Sequence, residues 1–234
     1  MVLLSYCISI KNRLYQLKKT LRENIDNSSD ESEFVLIDYD SNDELKEFIY
    51  NNFSNEILSG KLTYLYTDKI KYWHASICKN TTHMKAKGNI LVNLDCDNYI
   101  GTGGDQLIIN EFKNSGDNII ISQTDNIMGS GNGGRISITK NNFIKLGGYN
   151  EQFYPMGYQD YDLIERAKLF GLKYININKN NTAIKNSKED GIKNIGITME
   201  YNKMNNVNKL LSKINIDNNI LQTNLIRGIG ISSI

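Results

Sequence analysis

Residues 90–97 read Ile-Leu-Val-Asn-Leu-Asp-Cys-Asp, an apolar stretch that ends in two carboxylates one residue apart. The apolar part has the length and composition of a buried strand. Side chains two apart on a strand point to one side, so Asp95 and Asp97 can both reach one space beyond a sheet edge. Ligands bind at that edge in open α/β sheets. Two carboxylates there suit Mg²⁺ or Mn²⁺, usually shared with substrate phosphates. A plain turn is the alternative interpretation.

The residues before this stretch alternate between short apolar strands and amphipathic helices. Strands are predicted at 3–10, 34–37 and 62–66, and a helix is predicted after each, the third over about 73–86. This alternation is typical of a parallel sheet that is covered on both faces. Parallel strands end at one edge of the sheet, so their polar end residues are expected to gather there. These residues are Asn12 and Arg13, Asp38 and Asp40, and the pair Asp95 and Asp97.

The pattern after residue 97 is mixed. Strands are predicted at 119–123, 135–139 and 173–177, and helices at 107–112, 141–146, 160–170 and 199–214. A glycine-dense segment, 129–134, matches neither the dinucleotide fingerprint nor a phosphate-binding loop. It predicts backbone that lies close to a ligand, or a mobile loop. Without repeats or a linker, we expect one domain over 1–234, with a nucleotide-binding half (1–100), an acceptor and catalytic half (101–195) and a C-terminal helix and tail (196–234).

Composition and charge exclude several classes of function. The net charge is +1, which gives no overall electrostatic signature of nucleic-acid binding. No apolar run reaches the roughly 20 residues of a membrane helix. The start of the chain lacks the basic leader of a secretory signal, so a cytoplasmic protein is expected. Three separated cysteines predict reduced thiols, and two histidines exclude a multi-histidine metal site.

A second acidic pair lies in residues 154–162, Tyr-Pro-Met-Gly-Tyr-Gln-Asp-Tyr-Asp. Asp160 falls in the first turn of a predicted helix, where the helix dipole favours an ionised carboxylate. A general base for a sugar hydroxyl must be ionised and within about 3 Å of that hydroxyl. Asp160 is therefore the candidate base. A simple helix cap is the alternative interpretation.

In order and spacing, these motifs resemble the GT-A glycosyltransferases, in particular the inverting, GT2-like enzymes. The resemblance covers about residues 3–175, and the part from 133 to 163 is most similar to the C-terminal domain of β-1,4-galactosyltransferases. It rests on Ser9-x-x-Asn12-Arg13, Asp38-x-Asp40, Lys79-Asn80, Asp95-Cys96-Asp97, Gly133-Gly134, and Tyr154-x-x-Gly157-x-x-Asp160-x-Asp162.

The resemblance implies a mixed, mostly parallel α/β sheet flanked by helices. It also implies metal-dependent transfer of a hexose (galactose, glucose or an N-acetylhexosamine) from a UDP-sugar to a hydroxyl of a glycan or protein-linked acceptor. Asp160 would be the base, and Asp95 and Asp97 would hold Mn²⁺ or Mg²⁺. The nucleotide sugar would meet Ser9, Asn12, Arg13, Asp38, Asn80, Asp95, Gly133 and Gly134, and the acceptor would meet Tyr154, Tyr158, Gln159 and Asp162.

The chain departs from the family pattern at three points. Gln159 stands where the galactosyltransferases have an acceptor-binding Glu, and Met156 replaces a Trp. No histidine follows His83 to act as a third metal ligand. Two interpretations are open: the metal is held by Asp97 and water with weaker affinity, or Asn180, Asn181 or Asn186 supplies a substitute oxygen. Two other functions are open: a sugar-phosphate nucleotidyltransferase, although residues 8–14 lack glycine, and a non-catalytic sugar-binding module.

Overall fold

The structure is a computed structural model. It describes residues 3–124, 133–177, 182–184, 186–224 and 230. Gly129, Gly131 and the candidate ligands Asn180 and Asn181 lie outside the described residues, as does most of the tail.

Strands and helices alternate along the first hundred residues, as the apolar pattern predicts. The strands are β1 (Leu4–Ile10), β2 (Ser32–Asp38), β3 (Leu62–Tyr66), β4 (Ile90–Asn93), β5 (Ile119–Ser122), β6 (Ile136–Thr139) and β7 (Lys173–Asn176). The helices are α1 (Leu14–Asp26), α2 (Leu45–Asn52), α3 (Ser54–Leu58), α4 (Ala75–Lys85), α5 (Gly104–Ser115), α6 (Lys140–Lys145), α7 (Gln159–Leu169), α8 (Lys188–Ile192) and α9 (Tyr201–Asp217).

The strands form one seven-stranded sheet in the order β3-β2-β1-β4-β6-β5-β7. β1 lies in the parallel part, where Cys7 pairs with Val35 of β2 and Asn93 of β4. β6 runs antiparallel to both of its neighbours, and β7 pairs parallel with β5. The sheet is therefore mixed and mostly parallel, which confirms the fold class predicted from the sequence.

Both faces of the sheet are buried because successive strand residues point to opposite sides. Tyr6 and Ile8 of β1 join the core beneath α1, α2 and α5. Cys7, between them, joins the core beneath α4, α6 and α7. The uninterrupted apolar runs of the strands follow from this two-sided burial.

Two element boundaries differ from the predicted ones, and both differences affect the site. The helix predicted from 73 begins at Ala75, because His74 is its N-cap and its ring accepts a hydrogen bond from the Ile77 amide. β4 ends at Asn93, so Asp95 and Asp97 lie on the following turn instead of on the strand. Among the described helices, none has the length and apolar character needed to cross a membrane.

Candidate active site

A cavity of about 650 Å³ opens at the carboxyl ends of β1 and β4. One side is formed by the end of β1 and the turn after β4, and the other side by the start of α7 and by α9. The residues that line the cavity include Ser9, Lys11, Arg13, Trp73, Lys79, Asp95, Cys96, Asp97, Gly133, Gly134, Tyr158, Gln159, Asp160, Tyr161, Asn186, Tyr201, Asn202 and Asn205.

The first acidic pair is both a turn and part of the cavity wall. The amide of Asn98 donates to the carbonyl of Asp95 at 2.9 Å, which closes the turn. Asp95 and Asp97 both line the cavity. The turn interpretation and the ligand-site interpretation therefore describe the same residues. The alternation of side chains along a strand, which we used to predict that both carboxylates face one space, does not apply here, because β4 ends at Asn93. The turn after β4 places both side chains on the cavity instead.

Asp97 lies in a confined position on this turn. Its Oδ1 accepts a hydrogen bond of 2.6 Å from Asn98 Nδ2, and its Oδ2 accepts one from Asn186 Nδ2. Burial, and next the negative charge of Asp95, raise the pKa of the Asp97 carboxyl to about 6. A cation at this position would relieve both effects, because it would stabilise the ionised form.

Lys79 of α4 connects the two acidic parts of the cavity. Its Nζ donates to Asp160 Oδ1 at 2.8 Å and lies 3.7 Å from Asp95 Oδ1. The ammonium also lies over the Tyr149 ring, 5.3 Å from its centre. Burial alone would lower the pKa of Lys79, but the charges of Asp160 and Asp95 outweigh burial and raise it. Lys79 therefore stays protonated and neutralises part of the site's negative charge.

Gly134 lies where these charged groups meet. A Cβ at this position would be 2.8 Å from Asp95 Oδ2, 3.1 Å from Lys79 Nζ and 3.2 Å from Asp160 Oδ2. A separation below 3.0 Å is not tolerated without movement of a neighbour, so only glycine leaves this space open. The backbone is fixed here, since Asn93 Nδ2 donates to the Gly134 carbonyl at 2.8 Å.

Asp160 is the second residue of α7 and faces the cavity. Tyr158, the N-cap of α7, has a positive φ of 69°, and this sharp entry turns the helix start toward the cavity. The Asp160 side chain is 27% exposed. It therefore remains open to a substrate while Lys79 fixes its orientation.

Aromatic side chains surround Asp160. The rings of Tyr158 and Tyr161 stack with centres 5.4 Å apart and planes 15° from parallel. Tyr201 of α9 and Trp73 also line the cavity, and Trp73 Nε1 donates to the sulfur of Met156 at 3.2 Å. Such flat apolar surfaces beside a carboxylate suit a ligand that has both apolar and hydroxyl-bearing faces.

Three predicted nucleotide-sugar residues do not line the cavity. Asp38 is buried, and its two oxygens accept hydrogen bonds from the Ser41 amide and the Tyr64 hydroxyl, each at 2.9 Å. Asn12 bonds to the backbone of the 41–42 turn and to Asn194. Asn80 is fully buried and bonds to both the amide and the carbonyl of Tyr149 at 2.8 Å. Their side chains position the loops around the cavity.

The predicted acceptor residues are divided in the same way. Tyr158 and Gln159 line the cavity, whereas Tyr154 is not among its lining residues. Asp162 is fully buried and forms an ion pair of 2.8 Å with the equally buried Arg166. This carboxylate faces the protein core and not the cavity, and the acceptor role of Asp162 stays a prediction.

Helix α9 contributes to the site in a way that the sequence analysis missed. The Nδ2 of Asn208 donates to the carbonyls of Tyr154, Met156 and Gly157, the last at 2.7 Å, and its Oδ1 accepts from the Tyr154 amide. Gly157 packs so closely that a Cβ would lie 2.8 Å from the Cβ of Asn205. A buried asparagine on the inner face of a helix was the available signal.

Both histidines make structural contacts within the protein. His83 is buried, stacks on Phe143 with ring centres 4.8 Å apart, and its Nδ1 lies 2.7 Å from the Lys79 carbonyl. Burial is the main reason that its pKa falls to about 3. His74 caps α4, and burial lowers its pKa also.

The residues of the 95–98 turn fit a hard divalent cation that is shared with a ligand. Within the described ranges, no three His, Cys, Asp or Glu side chains are grouped as metal ligands. Mg²⁺-type sites usually take one or two carboxylates plus phosphate oxygens and water. Asp95 and Asp97 supply this number of carboxylates, beside the open space that Gly134 leaves.

Comparison with known families gives one match. A family model described as the N-terminal domain of galactosyltransferase matches residues 126–189, which include Gly133, Gly134, Asp160 and Asp162. The more specific resemblance, to the C-terminal domain of β-1,4-galactosyltransferases, stays a prediction. A search of curated proteins found no match.

Comparison with solved structures identifies the fold. The mannosyltransferase PcManGT from Pyrobaculum calidifontis, in complex with GDP-Man and Mn²⁺, has a TM-score of 0.66 at 14% identity, over 90% of this chain and 64% of its own. The fold is that of the GT-A glycosyltransferases. S. aureus TarS in complex with UDP-GlcNAc has a TM-score of 0.64 at 12% identity, over 80% of this chain and 59% of its own.

A third structure agrees with these two. GalNAc-T7 with UDP, GalNAc and Mn²⁺ has a TM-score of 0.64 at 15% identity, over 76% of this chain and 42% of its own. The match therefore spans less than two thirds of each of the three structures. At these identities the similarity shows the fold alone.

Proposed function

We propose that the protein is an inverting glycosyltransferase that transfers a hexose from a UDP-sugar to a hydroxyl group. One observation carries the proposal: Asp95 and Asp160 face a single cavity from two sides, and Lys79 contacts both. A donor-binding carboxylate and a candidate base on one open space are what a displacement at a sugar carbon requires.

The donor side is assigned to the 95–98 turn. Asp95 and Asp97 would hold Mn²⁺ or Mg²⁺, which as a Lewis acid would offset the charge that develops on the leaving nucleoside diphosphate. Arg13 lines the cavity beside this turn and adds a permanent positive charge. Gly133 and Gly134 leave room for the donor sugar, because a side chain at 134 would meet Asp95 and Lys79.

The acceptor side is assigned to the start of α7. Asp160 would remove the proton of the acceptor hydroxyl as that oxygen bonds to the anomeric carbon. The bond from this carbon to the diphosphate oxygen breaks on the opposite side, so the configuration inverts. Lys79 fixes the orientation of the Asp160 carboxylate through a hydrogen bond of 2.8 Å before the acceptor binds. Tyr158, Tyr161 and Tyr201 give this side flat surfaces that suit a glycan or a glycosylated protein.

A donor screen tests the proposal directly. Melting temperatures would be measured with UDP, GDP and individual UDP-sugars, with and without Mn²⁺. UDP-sugars plus Mn²⁺ are expected to stabilise the fold most, since a ligand that binds only the native state raises its stability. Addition of EDTA should abolish both this stabilisation and UDP release, and an excess of Mn²⁺ should restore them.

Product analysis then separates catalysis from binding. An active enzyme should release UDP from its preferred donor, and NMR of the product should show an inverted anomeric centre. Retention of configuration would refute the mechanism. Stabilisation by the donor without any release of UDP would favour a non-catalytic binding module, an alternative that Gln159 supports because it replaces the family's acceptor-binding carboxylate.

A further inference from the structure

A short segment late in the chain pairs with the acidic turn. The Tyr99 amide donates to the Thr182 carbonyl at 3.0 Å, and the Ile184 amide donates to the Asp97 carbonyl at 2.8 Å. Asn98 and Ala183 thus form an antiparallel bridge. This pairing brings Asn186, which is 89 residues from Asp97 in sequence, to the rim of the cavity.

A buried arginine holds the turn and this segment together. Arg135 is only 1% exposed, and its Nη2 donates to Asn98 Oδ1 at 2.9 Å and to the Thr182 carbonyl at 3.3 Å. Asn98 in turn donates to Asp97 Oδ1 at 2.6 Å. A chain of hydrogen bonds therefore runs from the guanidinium through Asn98 to the carboxylate that faces the cavity.

Asn186 meets the other oxygen of the same carboxylate. Its Nδ2 donates to Asp97 Oδ2 and, at 3.3 Å, to the Ile184 carbonyl, while its Oδ1 accepts from Gln16 Nε2 at 3.0 Å. The amide thus presents positively polarised hydrogens to Asp97, on the side where a cation would bind. A half-turn of the amide plane replaces these hydrogens with the carbonyl oxygen.

We propose that Asn186 is an oxygen ligand of the divalent cation that Asp97 binds, and that Arg135, acting through Asn98, is a positioning residue for Asp97. The proposal deepens the proposed function and rests on it, because it concerns the cation of that reaction. The described part of the chain offers no third acidic or histidine ligand at this place. A neutral amide oxygen adds a ligand without adding charge, so the cation keeps its full attraction for a diphosphate.

Binding of Mn²⁺, followed by electron paramagnetic resonance of the free ion, tests Asn186 without measuring activity. In the presence of UDP, Asn186→Ala is expected to weaken Mn²⁺ binding about tenfold. Asn186→Asp should bind Mn²⁺ more tightly than wild type without UDP, but should bind UDP–Mn²⁺ more weakly because of the added charge. Asn51→Ala, on the exposed surface of α2, is the matched control and should bind as wild type does.

Asn98→Ala tests the positioning part, because replacing the buried Arg135 could prevent folding. The alanine removes the hydrogen bond to Asp97 without adding a charge beside the cation, and Arg135 keeps its hydrogen bond to the Thr182 carbonyl. We expect Mn²⁺ binding to weaken about tenfold with the folded circular dichroism spectrum retained. Unchanged binding in this folded variant would overturn the role of the Arg135–Asn98 chain.

Two outcomes separate this proposal from the function on which it rests. If wild-type protein with UDP binds no Mn²⁺, the metal-dependent function itself fails. If wild type binds Mn²⁺ and Asn186→Ala binds it equally well, only the role of Asn186 fails.

Discussion

Two stretches of this chain have the same Asp-x-Asp spacing, but they place their carboxylates differently. On the turn after β4, Asp95 and Asp97 both line the cavity. On α7, Asp160 faces the cavity and Asp162 is buried in the core. Residues two apart on a helix point roughly 200° away from each other, so they cannot share one surface. The spacing of two carboxylates therefore indicates a shared site only when the backbone that carries them is known.

Asp162, the buried carboxylate of the pair on α7, has a structural role. Asp162 holds Arg166, whose Nη1 and Nη2 donate to the carbonyls of Leu146 and Gly148 at 3.0 and 2.8 Å. This network fixes the loop that follows α6. The carboxylate that is two residues from the candidate base thus supports the fold, whereas the base itself is free to meet a substrate.

The largest effect is expected at Asp160. Asp160→Asn should lower kcat by about 10²–10⁴-fold, since the amide cannot accept the acceptor's proton. The affinity for the UDP-sugar, measured by calorimetry, should change little, because the donor side of the cavity is untouched. A parallel loss of donor affinity would remove Asp160 from the role of base.

Asp162→Asn should lower the stability of the fold and leave kcat nearly unchanged. It leaves the buried Arg166 without its charge partner, which costs about 3–5 kcal/mol of the free energy of unfolding. Urea denaturation measures this loss, and kcat per folded molecule should stay near that of wild type. Unchanged stability with lost acceptor binding would reverse the assignment and restore Asp162 to the acceptor site.

Gly134→Ala tests the space between the two acidic pairs. The new methyl group would press on Asp95 and Lys79, so the KM for the donor should rise about tenfold, which corresponds to about 1.4 kcal/mol. The matched variant is Gly191→Ala, because a Cβ there would meet only Met156 Cε at 3.8 Å. A smaller change is expected for it, and equal effects of the two variants would contradict the crowded geometry at Gly134.

The smallest expected effect concerns His83, which lies four residues after Lys79 in α4. Its pKa of about 3 in the folded protein is below the roughly 6.5 of an unfolded chain. The unfolded state therefore binds the extra proton, and the contribution of His83 to stability, complete above pH 6.5, falls as the pH drops. Between pH 7.5 and 6.0 this loss is about 0.8 kcal/mol.

Comparison with His83→Leu isolates this contribution. The free energies of unfolding of wild type and variant would be measured at both pH values. The variant should lose about 0.8 kcal/mol less than wild type over this interval. Identical pH dependence would mean that His83 is not held neutral where it packs against Phe143.

The strands of the sheet were largely predictable, because each is identified by a short apolar run that is local in the sequence. Uninterrupted apolar runs identify strands that are buried on both faces, and the polar residues after them identify the edge where the cavity opens. What each polar side chain does there was less predictable. Asp38 and Asn12 lie at the expected strand ends, and Asn80 lies inside α4, but their oxygens already accept from nearby backbone or side-chain groups. Sequence position does not reveal such competition.

Contacts between distant segments were beyond the sequence analysis. Lys79 was noted as part of a motif, but its simultaneous contact with Asp95 and Asp160 depends on how α4, the turn and α7 pack. Asn186 was one of three candidate oxygens, and the pairing of 182–184 with 97–99 is what brings it to Asp97. The role of α9 depends on Asn208, which carries no recognisable motif.

The attachment of α9 also has an evolutionary consequence. This helix supplies Tyr201, Asn202 and Asn205 to the cavity. It also holds the 154–157 loop through the hydrogen bonds of Asn208. The donor turn and the cation candidates belong to other segments of the chain. Under the proposed function, acceptor preference can therefore change with α9 while the donor side of the cavity is retained, and chimeric enzymes made at residue 200 would exploit the same division.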